Sequence, residues 1–387
     1  MTLIKYLTRV HFADGVLEEA LRSEMELNGK RRPLIIAEES DLTGDMAERF
    51  LSSFPMRVRA ECFSAVRHRP TETAARTIAL LYAQNECDLL IAYGSNRAMD
   101  LAKVARVAIT YDEPIAALSA EEGGAQRITN QLPDLYSIPG VLGFASAITD
   151  YTRVKLDRGG QVLLSSPHLI PTVTICDPTL TSGASPEQSA CAAAGILARG
   201  VDGYLAPGYN PPADGLALDA LQRAVRNVHA VVQNDDLTAR REMMAAGLNS
   251  SMALQKGLCA VHAICNAVAA VAAEPIDPSA LGGVLIPELV RAYDAHGCPP
   301  LQPVHRSLSL RPDESLADGL AEIVAKLPLA TTLRELGLTP TDLPMAATLA
   351  SQDRAITNAP VHLGQTDILE ILQSAAGHFT VQKTAHA

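Results

Sequence analysis

The sequence predicts two domains: an α/β nucleotide-binding domain over residues 1–178 and an all-α domain over residues 179–387. Three observations carry this. Short apolar runs alternate with helical patterns in the first half, as in a parallel sheet joined by helices. Ala-rich and 3.6-period stretches, parted by Pro-containing joints, fill the second half. Between residues 88 and 103 an apolar run passes through a turn at Gly94 into a helical stretch, a geometry that holds a phosphate.

In chain order, residues 34–37 read as a strand, preceded by Lys30, Arg31, Arg32 and Pro33. Residues 72–84 read as a helix, 89–92 as a buried parallel strand, and 99–108 as the helix that follows it. Residues 115–118, 136–138 and 173–176 are further strand candidates. Beyond them, residues 187–200 are Ala-rich and helical. Over 214–232, Leu218, Leu221, Val225, Val228 and Val232 share one helical face. Over 252–272, Leu254, Leu258, Val261, Cys265 and Val268 do the same. Residues 315–326 and 330–337 also read as helices, and joints at 207–212 and 299–303 separate these elements.

A chain of 387 residues can bury two cores. With 48% apolar and 19% charged residues it is globular in composition, not disordered. A net charge of −11 argues against a nucleic-acid binder. No apolar stretch reaches the roughly 18 residues of a membrane span; the run at 259–273 is interrupted by His262 and Asn266. The N-terminus lacks the basic-then-apolar order of a signal peptide, so the expected location is cytoplasmic. The seven cysteines are scattered without a Cys-x-x-Cys pair, which predicts buried free thiols and no zinc knuckle.

The chemistry concentrates first at Gly94-Ser95-Asn96-Arg97. Free backbone N–H groups and the dipole of the following helix favour an anion there. Ser95 and Asn96 can donate to a phosphate, and Arg97 can add a charge-assisted contact.

Several segments carry a family resemblance. Residues 98–103, with Asp100 and Lys103, resemble the segment that follows the nucleotide loop of iron-containing alcohol dehydrogenases, usually Gly-Gly-Gly-Ser-x-x-Asp-x-x-Lys. Ile138-Pro139 with Gly143 and Ser146 is similar to their Ile-Pro-Thr-Thr-x-Gly-Thr-Gly-Ser element. Residues 166–171 and 177–181 resemble their linker into the helical domain. Gly257-Leu258, His262 and Cys265 resemble the helix that carries their metal-site histidines, and residues 331–337 a helix near their C-terminus. In order and spacing the chain resembles the iron-containing alcohol dehydrogenase and maleylacetate reductase group, with its dehydroquinate-synthase-like fold, over nearly its whole length.

The resemblance implies NAD(P), held in the α/β domain by Glu38, Gly94, Ser95, Asn96, Arg97, Asp100, Lys103, Gly143 and Ser146, and it implies a homodimer. Glu38, placed to accept from the adenosine ribose hydroxyls, favours NAD over NADP because a carboxylate repels a 2′-phosphate. Glu38 can equally be a solvated residue of an acidic turn with Glu39 and Asp41. The chain departs from the family at the loop glycines, at the Thr pair (here Gly140-Val141) and at a lysine that aligns with Gln161.

The departure is larger at the metal. The family holds iron or zinc with one Asp and three His. The first two positions correspond here to Gly195 and Arg199, the third to His262, and the fourth falls among residues 275–278, where only Asp277 can coordinate. One certain ligand does not hold a catalytic ion, and an arginine repels one, so no family-type metal site is expected. Arg199 can instead anchor a substrate carboxylate or stabilise an alkoxide, or simply pair with an internal acid. His262 can act as a general acid/base or be a satisfied core histidine. His168 is expected at the domain joint, His296 and His305 flank a Pro-rich loop, and His11, His68, His229, His362, His378 and His386 read as surface or terminal.

The resulting expectation is a metal-independent NAD-dependent dehydrogenase or reductase that acts on an alcohol or carbonyl of a small-molecule or peptide substrate, with Arg199 and His262 as its catalytic groups. Oxidative decarboxylation of a β-hydroxy acid or peptide C-terminus, as in natural-product tailoring, is compatible with it. The alternative is a catalytically inactive family member that serves as a binding partner or scaffold. A dehydroquinate-synthase-like lyase is a third reading, against which the missing ligands count equally.

Overall fold

A computed structural model describes residues 8–67, 69–129, 131–298 and 301–377. His68, His378, His386 and the Pro299-Pro300 part of the second joint lie outside the described residues. The chain packs as two compact units. The first takes the described residues up to Ala184 together with Asp235–Met244; the second takes Ser185–Asn234 and the described residues from Ala245 onward. The division thus falls after Ala184, where the sequence placed it at 178/179, and a ten-residue segment distant in the chain packs with the α/β unit.

The strands are β1 (Arg9–Phe12), β2 (Pro33–Ile36), β3 (Glu61–Phe63), β4 (Leu89–Gly94), β5 (Leu135–Pro139), β6 (Tyr151–Lys155), β7 (Gln161–Ser165) and β8 (Val173–Cys176). The helices are α1 (Leu17–Leu27), α2 (Asp45–Ser52), α3 (Glu72–Gln84), α4 (Asn96–Thr110), α5 (Gly124–Arg127), α6 (Pro186–Leu205), α7 (Pro211–Asn234), α8 (Leu237–Ala253), α9 (Ala260–Val271), α10 (Pro278–Ala295), α11 (Gln302–Ser307), α12 (Leu316–Ala325), α13 (Leu343–Gln352) and α14 (Gln365–Ala376).

Six strands form a parallel sheet in the order β1-β8-β5-β4-β2-β3, and β6 pairs with β7 as an antiparallel hairpin. In the sheet, β2, β4, β5 and β8 are buried along their whole length, so their sequences are mostly apolar, with Ser137 and Thr174 as buried polar exceptions. The chain leaves β2 toward β3 on one side and β4 toward β5 on the other. A crevice therefore opens at the carboxyl ends of β2 and β4, the switch point where ligands bind in such sheets. Tyr93 of β4 stacks on Phe50 of α2 at 4.1 Å between ring centroids, within the cluster that also holds Leu17, Ile35, Leu89, Ile91 and Ile175.

Helix starts follow local chemistry. Thr71 caps α3 by accepting from the Ala74 N–H. Ser185 and Gln188 form a capping box on α6, with Pro186 in its first turn. Asp277 caps α10 and also precedes a proline.

Three expected elements differ. Residues 115–118 form a 3-10 turn, not a strand; Ile115 and Leu118, three apart, share its buried side. A run of four apolar residues has too little periodicity to separate the two. The helix expected over 252–272 is broken: Gly257, at φ 110°, ends a short 3-10 turn, and α9 begins only at Ala260. There the Asn358 amide donates to the carbonyls of Lys256 and Leu258, which a continuous helix would have used. Residues 330–337 are turns ending at Gly337 (φ 91°), tied by the Leu333 N–H to the Ala375 carbonyl. All seven cysteines are free, but Cys62, on the edge strand β3, is exposed rather than buried. No single helix among the described residues is long and apolar enough to cross a membrane.

Asp177, after β8, ties the α/β unit together. Its fully buried carboxylate accepts from the N–H groups of Gly15, Leu17 and Thr179 and from the Thr179 hydroxyl, and it pairs with Arg49 at 2.9 Å. Removing it orphans several buried donors at once. Asp177→Ala should lower unfolding stability by about 3 kcal/mol in a urea titration followed by circular dichroism. A loss below about 1 kcal/mol would show that the donors find other partners.

Candidate functional site

At the switch point, β4 ends in Gly94 with φ 93°, and Ser95 caps α4 by accepting from the Ala98 N–H. The loop after β5 crosses this turn so closely that a Cβ on Gly140 would lie 3.2 Å from the Gly94 Cα. The Gly140 N–H donates to the Gly94 carbonyl at 2.9 Å. Asn96 then clasps the same loop: its Oδ1 accepts from the N–H groups of Ala145 (2.8 Å) and Ser146 (3.1 Å), and its Nδ2 donates to the Gly143 carbonyl. The structure therefore brings Gly94, Asn96, Gly143 and Ser146 together, with the Asn96 side chain committed to the loop.

Asp100 and Lys103 lie beneath that loop. The Ser146 and Thr152 hydroxyls and the Lys103 charge support the Asp100 carboxylate, whose pKa burial nevertheless raises. Lys103 is buried; its Nζ donates to Thr149 Oγ1 at 2.9 Å and to the Tyr151 carbonyl at 3.0 Å. Burial pushes its pKa down to about 8, against the pull of Asp100 and Asp150. Their polar groups brace the loop from inside; no bound anion is needed to explain where they stand.

Glu38 follows β2 at the mouth of the crevice. The Ser95 hydroxyl donates to its carboxylate, and Arg97 pairs with it at 3.2 Å. Glu38, Ser95 and Arg97 thus form one cluster, all partly exposed. Asp41, on the same acidic turn, reaches over Gly94. The sequence offered Asp41 only as a member of that turn.

The helical unit builds a second cluster. Cys191, Gly195 and Arg199 recur every fourth residue on α6, so they share one face. That face meets the start of α10. A Cβ on Gly195 would lie 2.6 Å from Ser279 Oγ, 2.7 Å from Ser279 Cβ and 3.1 Å from Arg199 Nη1. Arg199 Nε donates to Ser250 Oγ at 3.4 Å. Asp277 accepts from the Ser279 N–H at 2.7 Å and from the Cys191 thiol, whose pKa burial pushes up. His262 is half-buried in the first turn of α9, with Asn266 one turn further. Under that helix start sits Asp202 of α6, a buried carboxylate raised to about 7 by burial, while the N–H groups of Val261, His262 and Cys259 favour its charge. Nothing in the local sequence around Asp202 marked it.

This geometry does not fit a family-type metal centre. Gly195 has no room for a ligand side chain, and Arg199 brings a cation to that gap. Among the described residues, no group of three or more His, Cys, Asp or Glu is arranged to hold an ion. Among the described residues, the other histidines are engaged elsewhere or exposed. His11 pairs with Glu24, His296 with Asp367, and His305 with the Glu314 carbonyl; His168, His229 and His362 are exposed.

Comparison with known proteins follows both units. Residues 8–178 match the family model for iron-containing alcohol dehydrogenase, and residues 191–376 match the model for the C-terminal domain of the same family. The chain is 30% identical over 348 residues to a 4-hydroxybutyrate dehydrogenase of Cupriavidus necator, covering 88% of this chain and 90% of the relative. It is 26% identical over 379 residues to maleylacetate reductase 1 of Rhodococcus opacus, covering 95% and 94%. The fold is that of sulfoacetaldehyde reductase from Bifidobacterium kashiwanohense, solved in complex with NAD+, at a TM-score of 0.85 and 18% identity over 97% of this chain and 99% of that one. Matched domain by domain in this way, the chain belongs to the iron-containing alcohol dehydrogenase family and is an oxidoreductase acting on CH–OH groups.

Proposed function

We propose that this family member uses NAD to oxidise an alcohol, or to reduce the corresponding carbonyl, on a carboxylate-bearing small molecule or peptide, and does so without a metal ion. The observation that carries the reading is the pair Gly195 and Arg199: a gap too small for a ligand side chain, filled by a guanidinium. The 4-hydroxybutyrate dehydrogenase among the relatives is named for a hydroxy carboxylate, which agrees with an arginine in this role.

The cofactor fits the α/β unit. Gly94, which carries no side chain, and the N-terminus of α4 offer the close backbone approach that a diphosphate needs. Glu38 can accept from the ribose hydroxyls, and with Asp41 beside it a 2′-phosphate would meet two carboxylates. NAD supplies the acceptor or donor of the hydride. Arg199 stabilises the developing alkoxide or holds the substrate carboxylate by charge-assisted hydrogen bonds, and His262 takes the hydroxyl proton as the C–H hydride leaves. In the opposite direction His262 returns that proton. Where the hydroxyl is β to a carboxylate, the product is a β-keto acid. Its C–C bond electrons pass to the enolate as CO2 departs, so decarboxylation needs no further oxidant.

One observation favours the inactive alternative. Asn96 is spent on the loop and Glu38 on Ser95 and Arg97, so polar groups near the crevice already have partners. Binding of NADH, read by its fluorescence, separates the two: the dehydrogenase binds it and the scaffold does not.

Arg199→Ala should reduce turnover of a hydroxy acid by about 100-fold or more while the affinity for NAD changes little. An undiminished rate would remove Arg199 from the reaction. Glu38→Ala should raise the ratio of NADP to NAD affinity by about tenfold. An unchanged ratio would place the adenosine ribose elsewhere.

A further inference from the structure

We propose that Asp41 is an internal competitor of the cofactor diphosphate: its carboxylate sits in the anion seat of the 94–97 loop, and the dinucleotide binds by displacing it. The inference rests on the nucleotide reading above and adds the residue that sets its affinity.

A side chain on Gly94 would collide with the carboxylate oxygen Oδ2 of Asp41 and with its Cγ, and would lie 3.1 Å from its Cβ. Gly94 is thus bare for the close approach of an anion, and the anion that approaches is Asp41. The Ser95 and Glu38 backbones beside it favour its charge. The other side of the group is poorly served. Oδ2 is buried and has no hydrogen-bond partner. The nearby cation, Arg97, forms its ion pair with Glu38. A structural carboxylate ordinarily has its oxygens satisfied, as Asp177 does. Asp41 instead lies against the Gly94 backbone with an orphaned oxygen.

The groups facing Asp41 are Glu38 on its own turn, Arg97 and the Ser95 N–H from α4, and Tyr93 from β4. Burial and the Glu38 charge push the Asp41 pKa up to about 6, against Arg97 and the two N–H groups. The charged carboxylate is thus held in the seat at a cost that its displacement relieves.

The test is calorimetric binding of ADP-ribose, with adenosine as a control that lacks the diphosphate, to the full chain and to Asp41→Asn and Asp41→Ala. Asn keeps the side-chain volume, and thermal melts check that both variants fold. Both should bind ADP-ribose about tenfold tighter than the native chain near pH 7.5, with adenosine affinity unchanged. If the native chain binds ADP-ribose and the folded variants bind it equally or more weakly, Asp41 is no competitor. If neither native chain nor variants bind ADP-ribose, the nucleotide reading itself fails, and this inference with it.

Discussion

Contact between α6 and the first turn of α10 is made where nothing larger than glycine fits. At Gly195 the Ser279 side chain closes the space that a Cβ would need, and the Arg199 guanidinium closes it from the other side. The metal-free reading of the helical unit rests on that steric constraint. A ligand side chain at 195 would have to push α10 away from α6, two helices that pack along their length. With the helices in place, the local charge is a fixed cation on α6. A guanidinium offers a planar fork of donors suited to carboxylate or alkoxide, where a metal would offer open coordination positions. The proposed carboxylate-bearing substrate class rests on this guanidinium.

The α/β unit answers a different demand. Its sheet order puts the ends of β2 and β4 side by side, so an acidic turn and a phosphate-type loop face each other across the switch point. Such a loop concentrates N–H groups that must be satisfied by something. Here Asn96 fastens the loop after β5, and the Asp41 carboxylate lies against Gly94. This loop is held to the loop after β5 by Asn96 and overlain by Asp41.

The fold was legible where burial is two-sided. Residues 34–37 and 89–92 are continuous apolar runs, and 173–176 is broken only by Thr174, because β2, β4 and β8 are covered on both faces. The segments 115–118 and 330–337 misled because short apolar or leucine-containing runs are compatible with turns, and a positive-φ glycine at 257 cut a helix whose periodicity runs on past it. Association of 235–244 with a unit far back in the chain leaves no mark in linear order. At the site, residue types at family spacing pointed to Gly94, Arg199 and His262. Asp41 and Asp202 escaped because their roles depend on which N–H groups tertiary packing brings to a carboxylate. The inward commitment of Asp100, Lys103 and Asn96 escaped for the same reason: spacing placed them beside a loop but could not say which side they face.

The central claim is that protein charge replaces a metal ion in this member of the family. Elemental analysis of turnover-competent protein, purified without chelator, tests it most directly. The account predicts no stoichiometric iron, zinc or other transition metal, and a rate unaffected by chelation. About one ion per chain, lost together with activity on chelation, would contradict it.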